Sequence, residues 1–278
     1  MSKYLEPLLA HYEAHPDFLQ PEMYKNNILV RLRTEGLMDL SISRTSFNWG
    51  IPVPQGFDQR HVMYVWFDAL TNYLSGVHGL DPEHELSRFW PANCHVIGKD
   101  IIWFHCVIWP CMLLSAGVPV PQRVFAHGFV NAADGRKMGK SLGNVVDPHE
   151  ILDQVPVDTL RYYICRETTY GADLNFSLES LKLMHNGELA DTLGNLVNRA
   201  LNLSHKYCDD LIPDVSYPAE MAKPFDIIAA NAKIEEAFNQ FAIHTGAFEA
   251  MESVRCANRW LTDAAPWNLK GDEHTIAR

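Results

Sequence analysis

Eighteen apolar residues in a row occur nowhere in the 278-residue chain, which excludes an ordinary membrane-spanning helix and any membrane partner that such a helix would imply. A charged-then-apolar leader is also missing from the opening Met1-Ser-Lys-Tyr-Leu-Glu6. The expectation is therefore an unexported, cytoplasmic chain, or a mitochondrial one if a signal lay further upstream. Cysteine is sparse: Cys94, Cys106, Cys111, Cys165, Cys208 and Cys256 form no Cys-x-x-Cys pair and no His/Cys group at zinc spacing. They read as reduced core thiols, with no protein-bound metal expected. Cations are outnumbered, 23 Lys and Arg against 34 Asp and Glu for a net charge of −11, and this excludes a general nucleic-acid coat. What the chain does have is a globular composition, 47% hydrophobic, enough to build a core.

The acidic balance reverses in one place. Between Arg123 and Val146 the cations Arg123, Arg136, Lys137 and Lys140 face a single carboxylate, Asp134. Lys137 and Lys140 stand three apart in a loop punctuated by Gly135, Gly139 and Gly143. Mobile cations of this kind can close over a triphosphate and stabilise charge developing on its oxygens. Gly139-Lys140-Ser141 matches the ending of a Walker loop, but the spacing does not: Gly135 and Gly139 enclose three residues instead of four. Gly143 and Pro148 also interrupt the helix that a Walker loop needs. A solvated surface turn is the plain alternative for any lysine-rich loop.

Residues 1–40 read as two helical pieces split near Pro16 and Pro21, a scaffold, and the prolines of Trp49-Gly-Ile-Pro-Val-Pro54 force an extended connection. The pattern then alternates: a strand near His61 to Val65, a helix from about Asp68, a strand Cys94 to Ile97, a helix Asp100 to about Ser115, a strand Val124 to Phe129. Alternation of this kind predicts a parallel sheet, with ligands beyond the carboxyl ends of its strands. Three clusters fall there. Trp66, Ala69, Leu70 and Tyr73 share one face of a helix if it runs from the start of its segment; such a face is as easily core. Gly98 permits close approach of a ligand. Asp100 stands at the expected helix N-cap, where it either only caps or accepts hydrogen bonds from ribose hydroxyls. His105 lies one turn beyond Ile101, as a core group or a ligand contact. In Ala126-His127-Gly128-Phe129-Val130, Gly128 lets an adenine ring or a phosphate approach the backbone, or is a simple strand-end bulge.

Lys137-Met-Gly-Lys-Ser141, followed by Leu-Gly-Asn144, resembles the Lys-Met-Ser-Lys-Ser signature of class I aminoacyl-tRNA synthetases, with Gly139 in place of the usual serine. In order along the chain, Leu40-Ser-Ile-Ser-Arg44, Tyr64-Val-Trp66-Phe-Asp68-Ala69, Val96-Ile-Gly98-Lys99-Asp100-Ile101 with Phe104-His105, Val124-Phe-Ala-His127-Gly128 and the lysine loop are similar to the methionyl-tRNA synthetase family over nearly the whole chain. The resemblance implies that Trp66, Ala69, Leu70, Tyr73, Ile101 and His105 line a methionine pocket, with Leu70 where bacterial members often carry proline. It implies that Gly98 and Asp100 hold ribose, that His127, Gly128 and Val130 lie near adenine, and that Lys137, Lys140 and Ser141 bind the phosphates of ATP, which brings Mg2+ with it. Aromatic faces suit a polarizable thioether.

From about Ser177 the strands stop. Leu178, Leu181, Met184, Leu193, Leu196, Val197, Ala200 and Leu201 follow a helical period, with Asn195, Arg199, Asn202 and Lys206 on another face. A polar face can simply be solvated, but by resemblance Asn195, Arg199 and Trp267 read an anticodon, and Trp and Arg planes do stack on unpaired bases. The resemblance thus implies an α/β class: residues 1–175 as the second half of a Rossmann-like catalytic domain, and residues 176–278 as a helical anticodon-binding domain. The His-Ile-Gly-His signature of class I enzymes is absent, since Lys99 replaces the last histidine in His95-Val-Ile-Gly98. The expectation is therefore the C-terminal part of an enzyme that joins L-methionine to tRNA(Met), partnered by an N-terminal half. The alternatives are a class I synthetase for another apolar amino acid, or a non-catalytic tRNA-binding module.

Overall fold

A computed structural model describes residues 1–212 and 223–268, with the side chain of Lys140 outside the described set. The chain divides into two compact units, Met1–Gly128 and Phe129–Arg278. The sequence changes character near residue 176, but Val130–Asn131 pairs in parallel with Leu174–Asn175, so residues 130–175 close on themselves inside the second unit.

In the first unit, Leu8 and Tyr12 are buried one turn apart on helix Leu5–Ala14, and Ile28 and Leu32 likewise on helix Glu22–Glu35. Gly36, at φ 71°, ends the second helix in a conformation that side chains disfavour. Both helices cover a three-stranded parallel sheet ordered Leu19–Gln20, Val124–His127, His95–Gly98. Leu8, Tyr12, Phe18, Leu19, Ile97, Cys106, Val107, Val124 and Ala126 make its core.

Two strands depart from expectation. Val62–Met63 pairs antiparallel with Ser43–Arg44 and stands outside the parallel sheet. The third parallel strand is Leu19–Gln20, in the segment read as helical scaffold. Two residues carry no measurable period, and their pairing partner is more than a hundred residues away.

The helix expected from Asp100 is a composite: a 3-10 turn Lys99–Ile101, a π-helical turn Phe104–Ile108 and an α-helix Trp109–Ala116. Pro110 has no N–H for the carbonyl four residues back, that of Cys106, and the buried Tyr12 hydroxyl donates to it instead at 3.0 Å. All six cysteines are unpaired. Burial pushes the Cys106 thiol well up and Cys111 to about 11, which leaves both unreactive.

Among the described residues the second unit has one strand pair and is otherwise built of helices and their connections. Leu178–Met184 continues through a π-helical stretch His185–Gly194 into Asn195–Cys208, and Ile227–Asn239 and Ile243–Ala264 pack against each other. The single apolar period expected from Leu178 to Leu201 does not survive the π stretch. Leu181 is fully buried, whereas Leu193, Val197 and Leu201 are exposed, Leu201 to 63%. Bonding from i to i+5 adds residues to each turn, so an apolar stripe spaced for an α-helix is rotated off its face beyond residue 194.

Candidate functional site

Helix Val65–Ser75 starts early enough to include Trp66, so the expected offsets hold, but Trp66, Ala69, Leu70 and Tyr73 have different surroundings. Leu70, 1% exposed, belongs to a core cluster with Leu74, Ile108, Trp109 and Leu113, while Ala69 is exposed. Trp66 and Tyr73 meet His105. The Tyr73 hydroxyl and His105 Nε2 are 2.8 Å apart, and His105 Nδ1 lies 3.0 Å from the Ile101 carbonyl. A carbonyl can only accept, so Nδ1 carries the ring hydrogen and Nε2 accepts from Tyr73. Burial lowers the pKa of His105 and keeps the ring neutral. Phe104 stacks on Trp66 with centroids 3.9 Å apart, and His95 lies against Tyr73 at 4.1 Å. Neither was assigned a role from sequence. A strand beginning at residue 95 alternates buried and exposed, which would have turned His95 inward.

Burial holds His95 near pKa 4, with His105 nearby adding to the effect, and it holds His11 near 4 as well. In the unfolded chain histidine titrates near 6.5. Between these values the unfolded state takes up protons that the folded state refuses, so stability is full above the window and falls as pH drops from 6.5 towards 4. The slope should be about 1 kcal/mol per pH unit for each such ring. Urea unfolding at neutral pH and near pH 5 measures it; equal midpoints would contradict the neutral, buried assignment.

At the carboxyl ends of the strands, Gly98 stands in register with His127. A Cβ on Gly98 would come within 2.7 Å of Asp100 Oδ1, so glycine is what lets this carboxylate lie against the strand end. Asp100 is not the N-cap that was expected. The 3-10 turn begins one residue earlier with Gly98 as its cap, and Asp100 is exposed within it. His127 Nδ1 lies 2.9 Å from the Gly128 carbonyl, which fixes the hydrogen on Nδ1.

In the second unit, exposed Val130 opens the chain into the lysine loop. Arg136 and Asp134 pair at 2.7 Å, which neutralises that cation locally. Lys137 is exposed, stands 4.9 Å above the Phe129 ring and has no carboxylate partner among the described residues. Met138 packs on a cluster that includes Ile151, Tyr163 and Leu181. Asn144 ties the loop by accepting from Gly139 N–H at 2.9 Å and donating to the Lys137 carbonyl at 3.2 Å. Gly135 and Gly143 have φ of 81° and 62°, but Gly139 does not need to be glycine: a Cβ there meets only Leu142 and Ser141, at 3.7 Å or more. No Walker helix follows. Lys140–Leu142 is a single 3-10 turn containing exposed Ser141, and the next helix begins at Pro148.

A separate cleft of about 450 Å³ lies between Asn195–Cys208 and Ile243–Ala264 and is lined by Asn195, Arg199, Asn258 and Thr262, among others. Arg199 donates to Thr262 Oγ1 at 3.1 Å and to Asn258 Oδ1 at 3.3 Å, and stands 5.5 Å over the Trp267 ring. The structure therefore brings Asn195, Arg199 and Trp267 into one neighbourhood.

The sequence pattern of the family described as tRNA synthetases class I (M) matches residues 1–201. The chain belongs to that family. The matched part contains the aromatic cluster around His105, both strand-end glycines, the lysine loop, Asn195 and Arg199. Curated relatives of this class I chain include the methionine–tRNA ligase of Nostoc sp. PCC 7120, 43% identical over 98% of the chain and 52% of the relative, and that of Caldanaerobacter subterraneus, 41% identical over the whole chain and 43% of the relative. Among solved structures, Mycobacterium tuberculosis methionyl-tRNA synthetase in complex with methionyl-adenylate superimposes with a TM-score of 0.88 at 41% identity, over 99% of the chain and 55% of that protein. The class I α/β fold with its parallel sheet follows. The chain spans about half the length of the relatives it matches. That share measures extent and not position, so the C-terminal placement expected from the missing histidine signature is not retained.

Proposed function

We propose that this chain is part of an enzyme that activates L-methionine with ATP to methionyl-adenylate, releasing pyrophosphate, and then transfers the methionyl group to tRNA(Met) in the compartment of translation, the cytoplasm. The observation that carries this reading is Lys137, an exposed cation without a carboxylate partner among the described residues, beside an Arg136 that is already neutralised. No side chain need act as nucleophile, because the substrate carboxylate attacks the α-phosphorus and the protein supplies orientation and charge. Lys137, Lys140 and Ser141 grip the phosphates, and magnesium arrives on the nucleotide as part of the substrate. Asp100 accepts from ribose hydroxyls beside Gly98, and His127, Gly128 and Val130 stand by adenine. Trp66, Tyr73, His105, Ile101, Ala69 and Leu70 serve methionine, with the stacked rings as a polarizable wall and Leu70 acting from the core behind it. Asn195, Arg199 and Trp267 receive anticodon bases. Relatives twice as long and the lack of a His-Ile-Gly-His sequence support a need for the remaining segment of the enzyme.

Methionine-dependent ATP–pyrophosphate exchange, assayed with the chain alone and after mixing with a segment bearing the histidine signature, tests this. Exchange in the mixture supports it. No exchange and no methionine binding, with tRNA binding retained, would leave a tRNA-binding module instead.

A further inference from the structure

Three arginines line the cleft between Asn195–Cys208 and Ile243–Ala264, and their bonds divide them. Arg255 donates to Glu188 Oε1 and to Glu252 Oε1, each at 2.7 Å, so its charge is matched twice. Among the described residues Arg199 has only neutral partners, Asn258, Thr262 and the Trp267 face, which hold its plane in position. Arg259, one turn beyond Arg255 on the same helix, is exposed. It gives one N–H to Cys256 Sγ at 3.2 Å and pairs with no carboxylate among the described residues, although Asp191 and Asp263 line the same cleft. In a chain of net charge −11, an unmatched cation beside a fixed arginine–tryptophan stack marks where an anionic strand is held while its bases are received. Phosphate contacts hold a strand in register, and stacking and edge contacts read it.

We propose that Arg259 is a phosphate contact for the RNA strand whose bases reach Arg199 and Trp267. The assignment rests on the reading of this cleft as an RNA site, and it separates one purely electrostatic residue from those that discriminate bases. Arg255 is then a wall, its charge spent on Glu188 and Glu252.

The test is binding of an RNA hairpin whose loop carries the methionine anticodon, and of the same hairpin with a scrambled loop, across a salt series. Arg259→Gln should weaken both hairpins by the same factor and reduce the slope of log affinity against log salt by about 0.7 to 1. Arg259→Lys should keep the slope, because the charge remains. Trp267→Ala should instead erase the preference between hairpins and leave the slope alone. An unchanged slope in Arg259→Gln, or a loss confined to the cognate hairpin, overturns the role of Arg259 while the RNA reading stands. Failure of the unsubstituted chain to bind either hairpin overturns the RNA reading and this assignment with it.

Discussion

Lys137→Ala should lower methionine-dependent pyrophosphate exchange of the reconstituted enzyme by roughly 10²- to 10³-fold, the scale for deleting one group aimed at developing charge in a water-excluded site. Stability should hardly move. The side chain is exposed and its only described contact is the Phe129 face at 4.9 Å, so the cost of removing it is within about 0.5 kcal/mol. Because the interaction strengthens as charge builds on phosphate oxygen, the loss should fall on kcat more than on the KM for methionine. Arg136→Ala is the contrast, since that guanidinium is already bound to Asp134 at 2.7 Å. Equal losses in the two variants would mean that the loop acts by general positive charge, not through Lys137.

Glu188→Ala should be the most destabilising single charge deletion in the second unit. Glu188 sits in the π-helical stretch with its side chain 17% exposed, and meets Arg255 at 2.7 Å and Arg166 at 3.3 Å. The Tyr162 hydroxyl donates to Oε2, the oxygen that Arg166 meets, while Arg255 holds Oε1. Both guanidinium groups also lie over the Phe248 ring, at 5.1 and 5.7 Å. Burial alone would raise the pKa of this carboxyl, but the Tyr162 hydrogen bond and the two arginines outweigh it and lower the pKa. Removing the anion leaves Arg166 partly buried without a counter-charge among the described residues, and leaves Arg255 with Glu252 alone. That costs about 3 kcal/mol, the low end for a broken interior pair, because the partners keep roughly a quarter of their surface in water. Urea unfolding reads the loss, and a change below about 1 kcal/mol would show that water replaces the carboxylate freely. A lowered carboxyl pKa gives stability that is present above its unfolded value near 4.3 and is lost as pH falls through the folded one. Its acid loss therefore begins below most of the histidine window, and the two can be told apart by pH.

Much of this was legible in the sequence where local pattern and chemistry coincide. The strands around His95 and Val124 and the break of the first helices near Pro16 and Pro21 are written in short-range signals that tertiary contacts reinforce. The failure of the lysine loop to continue as a Walker helix is written there too. Leu19–Gln20 was not legible, because two residues become a strand only through Val124 and Phe125. The helical face from Trp66 to Tyr73 was read at the right spacing, but spacing alone could not divide core-facing Leu70 from exposed Ala69. Nor could it show that Ile101 acts through its backbone carbonyl, which orients His105. Asp100 falls inside the first turn instead of at the expected cap position because helix start rules assume an α-helix, and the chain there begins with a tighter turn.

The ten residues His185–Gly194 also set an angular reference. Each residue gained or lost there turns everything beyond it by about 100° about the helix axis. Asn195 and Arg199 would then swing away from Asn258 and Thr262 with their own sequence untouched. The direction in which this helix presents its polar face is therefore a counted quantity, held in a segment that contributes Thr192 to the cleft wall and Glu188 to the network behind it. Length changes there should be tolerated less well than substitutions of its exposed side chains.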